Sequence, residues 1–239
     1  GSAVTLSAAE IGPDIREPMR DIARVLSGYV DIIAIRTFGH DRVEELARYA
    51  SVPVINALSD YSHPCQALAD LLTVLEVKGR LKGLKLAYIG DGNNVAVSLL
   101  LGTSRVGMSM SLACPQGYDV SAELMDAARR EASRHGASVE LTRDPRQALK
   151  GAHVIYTDVW TSMGQEEAAA RRVIFSPFQI NQQLLVEADR DAFLMLCLPA
   201  HYGEEITLEA AENPRSVIFQ QAENRLHAQK ALFLTLLGF

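Results

Sequence analysis

Basic clusters are missing from this chain. Its 23 Lys and Arg stand scattered against 29 Asp and Glu, for a formal charge of −6. Gripping a phosphodiester backbone takes cations gathered on one face, so nucleic acid is not an expected partner. Long apolar runs are missing as well: no stretch nears the roughly 20 residues that span a bilayer, and no membrane partner is expected. Cysteine is scarce. Cys65, Cys114 and Cys197 are an odd number, with neither zinc-like pairing nor a disulfide framework, which points to a reducing cytoplasm. There is no initiator Met; Gly1-Ser2 resembles either the scar of tag removal or native sequence exposed by truncation, so the natural beginning is expected to lie elsewhere. What is present is 239 residues, 48% of them hydrophobic, enough for one large core or two modest ones.

The apolar pattern alternates strand and helix. A short strand is predicted at 3–6, a helix at about 17–28 (Met19, Ile22, Ala23 and Leu26 at helical spacing), a buried strand at 32–35, a helix at 41–50 and a strand at 52–56. A longer helix over about 64–81 carries Leu68, Leu71, Leu72 and Leu75 and forms a natural link between two halves. The second half reads as strands at 85–89, 108–113, 138–141, 154–156 and 192–198, with helices ending at Val106 and spanning 122–136, and a final apolar helix at 225–237. This rhythm predicts the α/β class, a parallel sheet with helices on both faces.

Chemistry-bearing residues fall where such strands end. Asp158 to Gln165 leaves the Val154 strand and could meet a small zwitterion: Asp158 its ammonium, Ser162 a polar group, Met163 its methylenes. Gly90-Asp91-Gly92 invites a dinucleotide reading, but Val95 replaces the third glycine and the next strand ends in Cys114-Pro115 rather than an acid, so a nicotinamide dehydrogenase is disfavoured. A turn offering backbone amides and the Asn94 amide to a carboxylate fits better. His63-Pro64-Cys65-Gln66 stands at a strand-to-helix junction, where His63 and Gln66 either face a ligand or cap the helix. Arg36, just after an apolar strand, can grip phosphate or carboxylate with two parallel hydrogen bonds. Cys197, before Leu198 and Pro199, reads either as an inert core thiol or, by its position at the same sheet end as Asp158, as a site residue. Arg225 could hold an anion, while Glu223 and Asn224 suit a helix start.

Five motifs in order, His63-Pro64-Cys65-Gln66, Gly90 to Val95, Asp158-x-Trp160-x-Ser162-Met163-Gly164, Cys197-Leu198-Pro199 and Ala222-Glu223-Asn224-Arg225, resemble those of the ornithine carbamoyltransferases across essentially the whole chain. Ser162-Met163-Gly164 separates this branch from the aspartate carbamoyltransferases. The resemblance implies transfer of a carbamoyl group from carbamoyl phosphate to the δ-amine of L-ornithine without metal or organic cofactor. It implies two domains, each a parallel sheet flanked by helices. Residues 1–75, with 222–239 packing back, would bind carbamoyl phosphate in a domain shortened at its N-terminus, and 76–221 would bind ornithine. Arg36, His63, Gln66 and Arg225 would hold carbamoyl phosphate and polarise its carbonyl; Asn94, Asp158, Ser162 and Met163 would hold ornithine; Cys197 and the Leu198 backbone would border the reacting amine. A homo-oligomer is implied, a trimer by the same resemblance.

The departures are specific. No Ser-Thr-Arg-Thr phosphate loop occurs in the chain, Gly12 stands where the family commonly has Gln or His, and Leu196 stands where it has His beside the Cys-Leu-Pro. The carbamoyl phosphate half is therefore expected to be depleted and the ornithine half intact, with weak or absent turnover. A divergent paralogue serving as an ornithine-binding subunit is the alternative; tolerated variation would also account for Gly12 and Leu196.

Overall fold

The computed structural model describes residues 1–13, 15–161 and 168–239. Residues 1–7 form no strand: they are exposed, and no neighbouring strand among the described residues supplies the ladder that the predicted 3–6 strand would need. A short helix follows instead, α1 (Ala8–Ile11). Ser7 and Glu10 close a capping box at its start, and Gly12 ends it in the left-handed region at φ 60°.

The first sheet has two parallel strands, β1 (Ile33–Arg36) and β2 (Val54–Leu58). β2 begins two residues later than the pattern predicts, because Pro53 has no N–H for the ladder, although its carbonyl accepts from Ile33. Helices α2 (Met19–Ser27) and α3 (His40–Tyr49) pack together here, burying Met19, Ala23 and Leu46 with Ile33. The link helix α4 (Pro64–Lys78) starts on Pro64, whose missing N–H costs nothing at a first turn, and stops at left-handed Gly79.

Five parallel strands make the second sheet: β3 (Lys85–Ile89), β4 (Ser109–Ala113), β5 (Val139–Thr142), β6 (Val154–Thr157) and β7 (Phe193–Leu196), in the order β5-β4-β3-β6-β7. Side chains alternate between two cores, as the strand period of two demands. Leu86, Tyr88, Val154, Tyr156, Phe193 and Met195 join the core beneath α5 (Asn94–Val106) and α6 (Ala122–Arg134). Ala87, Ile89, Ile155, Leu194 and Leu196 join the opposite core with α7 (Pro145–Leu149), α9 (Gln182–Glu187) and α10 (Leu208–Ala211). The chain winds from β3 towards β5, then returns to β6 on the other side of β3. The β3/β6 boundary is thus the topological switch point, where open α/β sheets gather ligands.

Between β6 and β7 lies α8 (Ala168–Phe175), which sequence periodicity did not single out. The last helix, α11 (Ile218–Leu237), starts seven residues before the predicted Arg225 and packs along α4 and against β7. Glu223 and Asn224 are therefore interior residues of a helix, not its cap. Buried Ile218, Gln221 and Asn224, at helical spacing, draw this early start onto the core.

Candidate active site

At the switch point, Asp158 directly follows β6 and Asn93 caps α5. Asn93 Oδ1 accepts from the Val95 and Ala96 amides at 3.0 and 3.1 Å, while its Nδ2 donates to Asp158 Oδ2 at 2.7 Å. The Val95 and Ala96 amides are thus taken by the cap itself. Asp158 is buried, and burial lifts its carboxyl to about 7, against the lowering pull of Asn93 and the Val159 backbone; Glu205 and Asp70 add to the rise. A carboxylate under this strain gains most from an arriving cation. Gly92 lets the loop pass: a Cβ there would collide with the backbone of residues 118–120. Asp91 turns away from the crevice to a buried ion pair with Arg171, whose Nε donates to the Trp160 carbonyl at 2.6 Å and whose guanidinium lies over Tyr118 and Phe175. Ser162 and Met163 lie outside the described residues.

Two hydrogen bonds bring the other half of the site alongside. Asn94 Nδ2 donates to the Ser59 carbonyl at 2.8 Å, and the His63 backbone N–H donates to Ser98 Oγ at 2.7 Å. The loop from β2 to α4 is thereby fastened to the first turns of α5. Asn94, expected to face a carboxylate, commits one of its two amide N–H donors to this join. His63 precedes Pro64 at the start of α4, is almost wholly buried, and makes no side-chain cap bond. Its Nδ1 has no hydrogen-bond partner among the described residues. Burial first, and then the Arg225 and Arg36 charges, together lower its pKa to about 4, so the ring is neutral near pH 7. Arg36 ends β1 as an exposed side chain, and Arg225 lies half-buried beside Cys65, Ala34 and Ile55. These three groups make a cationic corner round an uncharged imidazole.

Gln66 is buried, its Nε2 donating to Asp70 Oδ1 at 2.9 Å. Asp70 also accepts from Gln221 Nε2 at 2.7 Å and from the Tyr156 hydroxyl at 2.9 Å, and burial raises it to about 6 against those three bonds. Asp70, Gln221 and Tyr156 were missed in the sequence. The available signal was Asp70 itself, an acid one helical turn after Gln66 in a run of Leu and Ala. Cys197 and Leu198 follow β7, half-buried, ahead of a cis Leu198-Pro199 bond. Burial pushes the Cys197 thiol well up, with Asp158 and Asp70 adding to it, so it stays protonated. Beyond it, His201, Glu204 and Glu205 place their ligand atoms within 4.8 Å of one another, but Glu204 is paired to Arg172 at 2.6 Å and Glu205 accepts the His201 amide. Leu196 is a core residue whose N–H donates to Gln221 Oε1 at 2.8 Å. At Gly12, a Cβ would press on the Arg16 side chain at 2.8 Å in a left-handed backbone, so the helix end accounts for the glycine.

Comparison with known proteins places two family models on the chain, the second running on through residues 222–236. A family model of the aspartate/ornithine carbamoyltransferase carbamoyl-P binding domain matches residues 1–76, and one of the Asp/Orn binding domain matches 82–236. The ornithine carbamoyltransferase of Bacillus subtilis (strain 168) is 55% identical over 238 residues, 99% of this chain and 75% of that protein. The Pyrococcus furiosus protein described as "Ornithine carbamoyltransferase, anabolic" is 52% identical over 239 residues, 100% of this chain and 76% of its own length. A solved structure of ornithine carbamoyltransferase from Pyrococcus furiosus superposes with a TM-score of 0.93 at 52% identity, covering 97% of this chain and 74% of that one. With both domain models matched end to end and the strand-end residues gathered at one crevice, the chain belongs to the aspartate/ornithine carbamoyltransferase family.

Proposed function

We propose that the chain transfers the carbamoyl group of carbamoyl phosphate to the δ-amine of L-ornithine, giving L-citrulline and phosphate as a step of arginine biosynthesis. The observation that carries this reading is the pair of bonds joining the His63 corner to the α5 start, Asn94 to Ser59 and His63 to Ser98. They set a cationic, oxyanion-stabilising group next to a buried carboxylate, as transfer between an anionic donor and a cationic acceptor requires.

The roles follow from chemistry. Arg36 and Arg225 would offset the phosphate, and the neutral His63 imidazole would donate its N–H to the carbamoyl oxygen as charge gathers there. Asp158 would take the α-ammonium of ornithine; Asn94, Ser162 and Met163 would complete that pocket. The neutral δ-amine forms the new C–N bond, the C–O bond to phosphate breaks, and the amine proton leaves with the phosphate. Cys197 and the Leu198 carbonyl border the amine. As a protonated thiol, Cys197 has no covalent part in this scheme. Residues 1–75 with 222–239 would form the carbamoyl phosphate domain and 76–221 the ornithine domain. The protein would work as a homo-oligomer, a trimer, in the cytoplasm; among the described residues no helix is long and apolar enough to cross a membrane.

A colorimetric citrulline assay on the purified chain tests the reading. Citrulline is expected with ornithine plus carbamoyl phosphate, slowly because no Ser-Thr-Arg-Thr loop occurs in the chain, and no product with aspartate in place of ornithine. Carbamoylation of aspartate, or no citrulline at any substrate concentration, would overturn it.

A further inference from the structure

Gln66, Asp70, Gln221 and Tyr156 form a buried cluster drawn from three elements, α4, α11 and β6. An amide side chain can present either its NH2 or its carbonyl to a neighbour, and the cluster removes that freedom step by step. The constraint starts at the Leu196 backbone, whose N–H can only donate. It meets Gln221 Oε1 at 2.8 Å, so the Gln221 NH2 must face the other way, towards Asp70 Oδ1 at 2.7 Å. The Tyr156 hydroxyl, at 2.9 Å from Asp70 Oδ2, donates to the second oxygen. With donors on both oxygens, Asp70 is held as an acceptor-only carboxylate, and the only face of Gln66 it can bind is the NH2, at 2.9 Å. The Gln66 carbonyl oxygen is thereby turned away from Asp70 and makes no hydrogen bond among the described residues.

We propose that Asp70, oriented through Gln221 and Tyr156, is a positioning residue that fixes Gln66 as a hydrogen-bond acceptor and so selects a donor-bearing acyl phosphate. This rests on the reading above that Gln66 touches carbamoyl phosphate. In that molecule the phosphate and carbonyl oxygens only accept; the NH2 group alone donates. A Gln66 locked as acceptor therefore reads the amine, and acetyl phosphate, with methyl in its place, leaves that oxygen without a partner. Sites built to hydrogen-bond one substrate group reject the analogue lacking it far more strongly than apolar pockets do. The selection is made from behind: the Leu196 amide and the Asp70 carboxyl set the polarity, and Gln66 only displays it.

The test is the ratio of dissociation constants for acetyl phosphate and carbamoyl phosphate, measured calorimetrically at pH 7 on the full chain. A loss of packing weakens both ligands together, whereas lost polarity weakens only the discrimination between them. The unsubstituted chain should prefer carbamoyl phosphate. Asp70→Leu and Gln66→Leu should each lower the preference by about tenfold. Asp70→Asn keeps an acceptor towards both glutamines and should restore most of it. If Gln66→Leu removes the preference and Asp70→Leu retains it, the positioning role is overturned while the Gln66 contact stands. An unchanged preference in Gln66→Leu removes the contact itself and the positioning role with it. Should Asp70→Leu fail to fold, Gln221→Leu replaces it: Asp70 then loses a donor and holds a proton more readily, and an unchanged preference overturns the proposal.

Discussion

Asp158 is a carboxyl group that the fold holds at the edge of ionisation. Its folded pKa, about 7, lies above the ordinary aspartate range, so its contribution to stability is fully present at low pH and is lost as pH rises through about 7. Asp158→Asn should therefore stabilise the ligand-free protein at pH 8, by on the order of 2–4 kcal/mol, with the gain vanishing near pH 4. The same change should abolish ornithine binding. Thermal melts at the two pH values and a calorimetric titration check this; an Asn variant that is less stable at pH 8, or that binds ornithine normally, contradicts it. His63 runs the other way. Held neutral down to about 4, it should give kcat/KM no inflection between pH 5.5 and 8, and His63→Ala should cost about 10²–10³ in kcat. An inflection near pH 6.5 that disappears in the variant counts against the assignment. These two residues were legible in the sequence because Asp158 directly follows a strand and His63 stands just before a helix start. Asn93 and Asp158 were each named in a motif but their pairing was not, since a bond between them crosses 65 residues and no periodicity encodes it.

Between elements, the buried Asp91–Arg171 pair ties the loop after β3 to α8. Removing one partner strands the other charge out of water, so Arg171→Leu should destabilise the protein by about 3–5 kcal/mol, and adding Asp91→Leu should return part of that loss. Urea unfolding of the two single variants and the double variant measures the coupling; additive losses would show the pair to be inert. Most elements were readable from sequence because β3, β4, β6 and β7 bury nearly every residue and helices such as α2 bury one face, as in Val154 to Tyr156 or Met19 to Leu26. Three departures have local causes. Residues 3–6 have strand-like chemistry and no strand to pair with, Pro53 delays β2, and α11 starts early because Ile218 is buried. Helix α8 escaped because it has only eight residues, too few for its period to stand out directly after the Asp158 loop motif.

At the scale of the whole molecule, the two units are unequal. Five paired strands between two cores stand beside a single β1–β2 pair, and two-stranded pairing alone is marginal. Backbone amides of β1 and β2 should exchange with solvent faster than those of β3 and β4, as hydrogen-exchange mass spectrometry can show; equal protection would mean that the first sheet draws on other contacts. Exposed Tyr29, Phe38, Phe219, Leu226 and Phe239 leave apolar surface for association, so light scattering should report an oligomer, and a monomer at micromolar concentration would remove the proposed trimer. The bonds from Asn94 to Ser59 and from His63 to Ser98 also bear on motion. They fasten the loop before α4 to the first turns of α5, so a closing rotation of the two units would pivot near them, with displacement growing towards the rim while the reacting groups stay nearly in place. Such a joint is stiff where the chemistry happens and compliant where ligands enter, and spin-label distances across the rim should shorten on ligand binding while those across the pivot hold still.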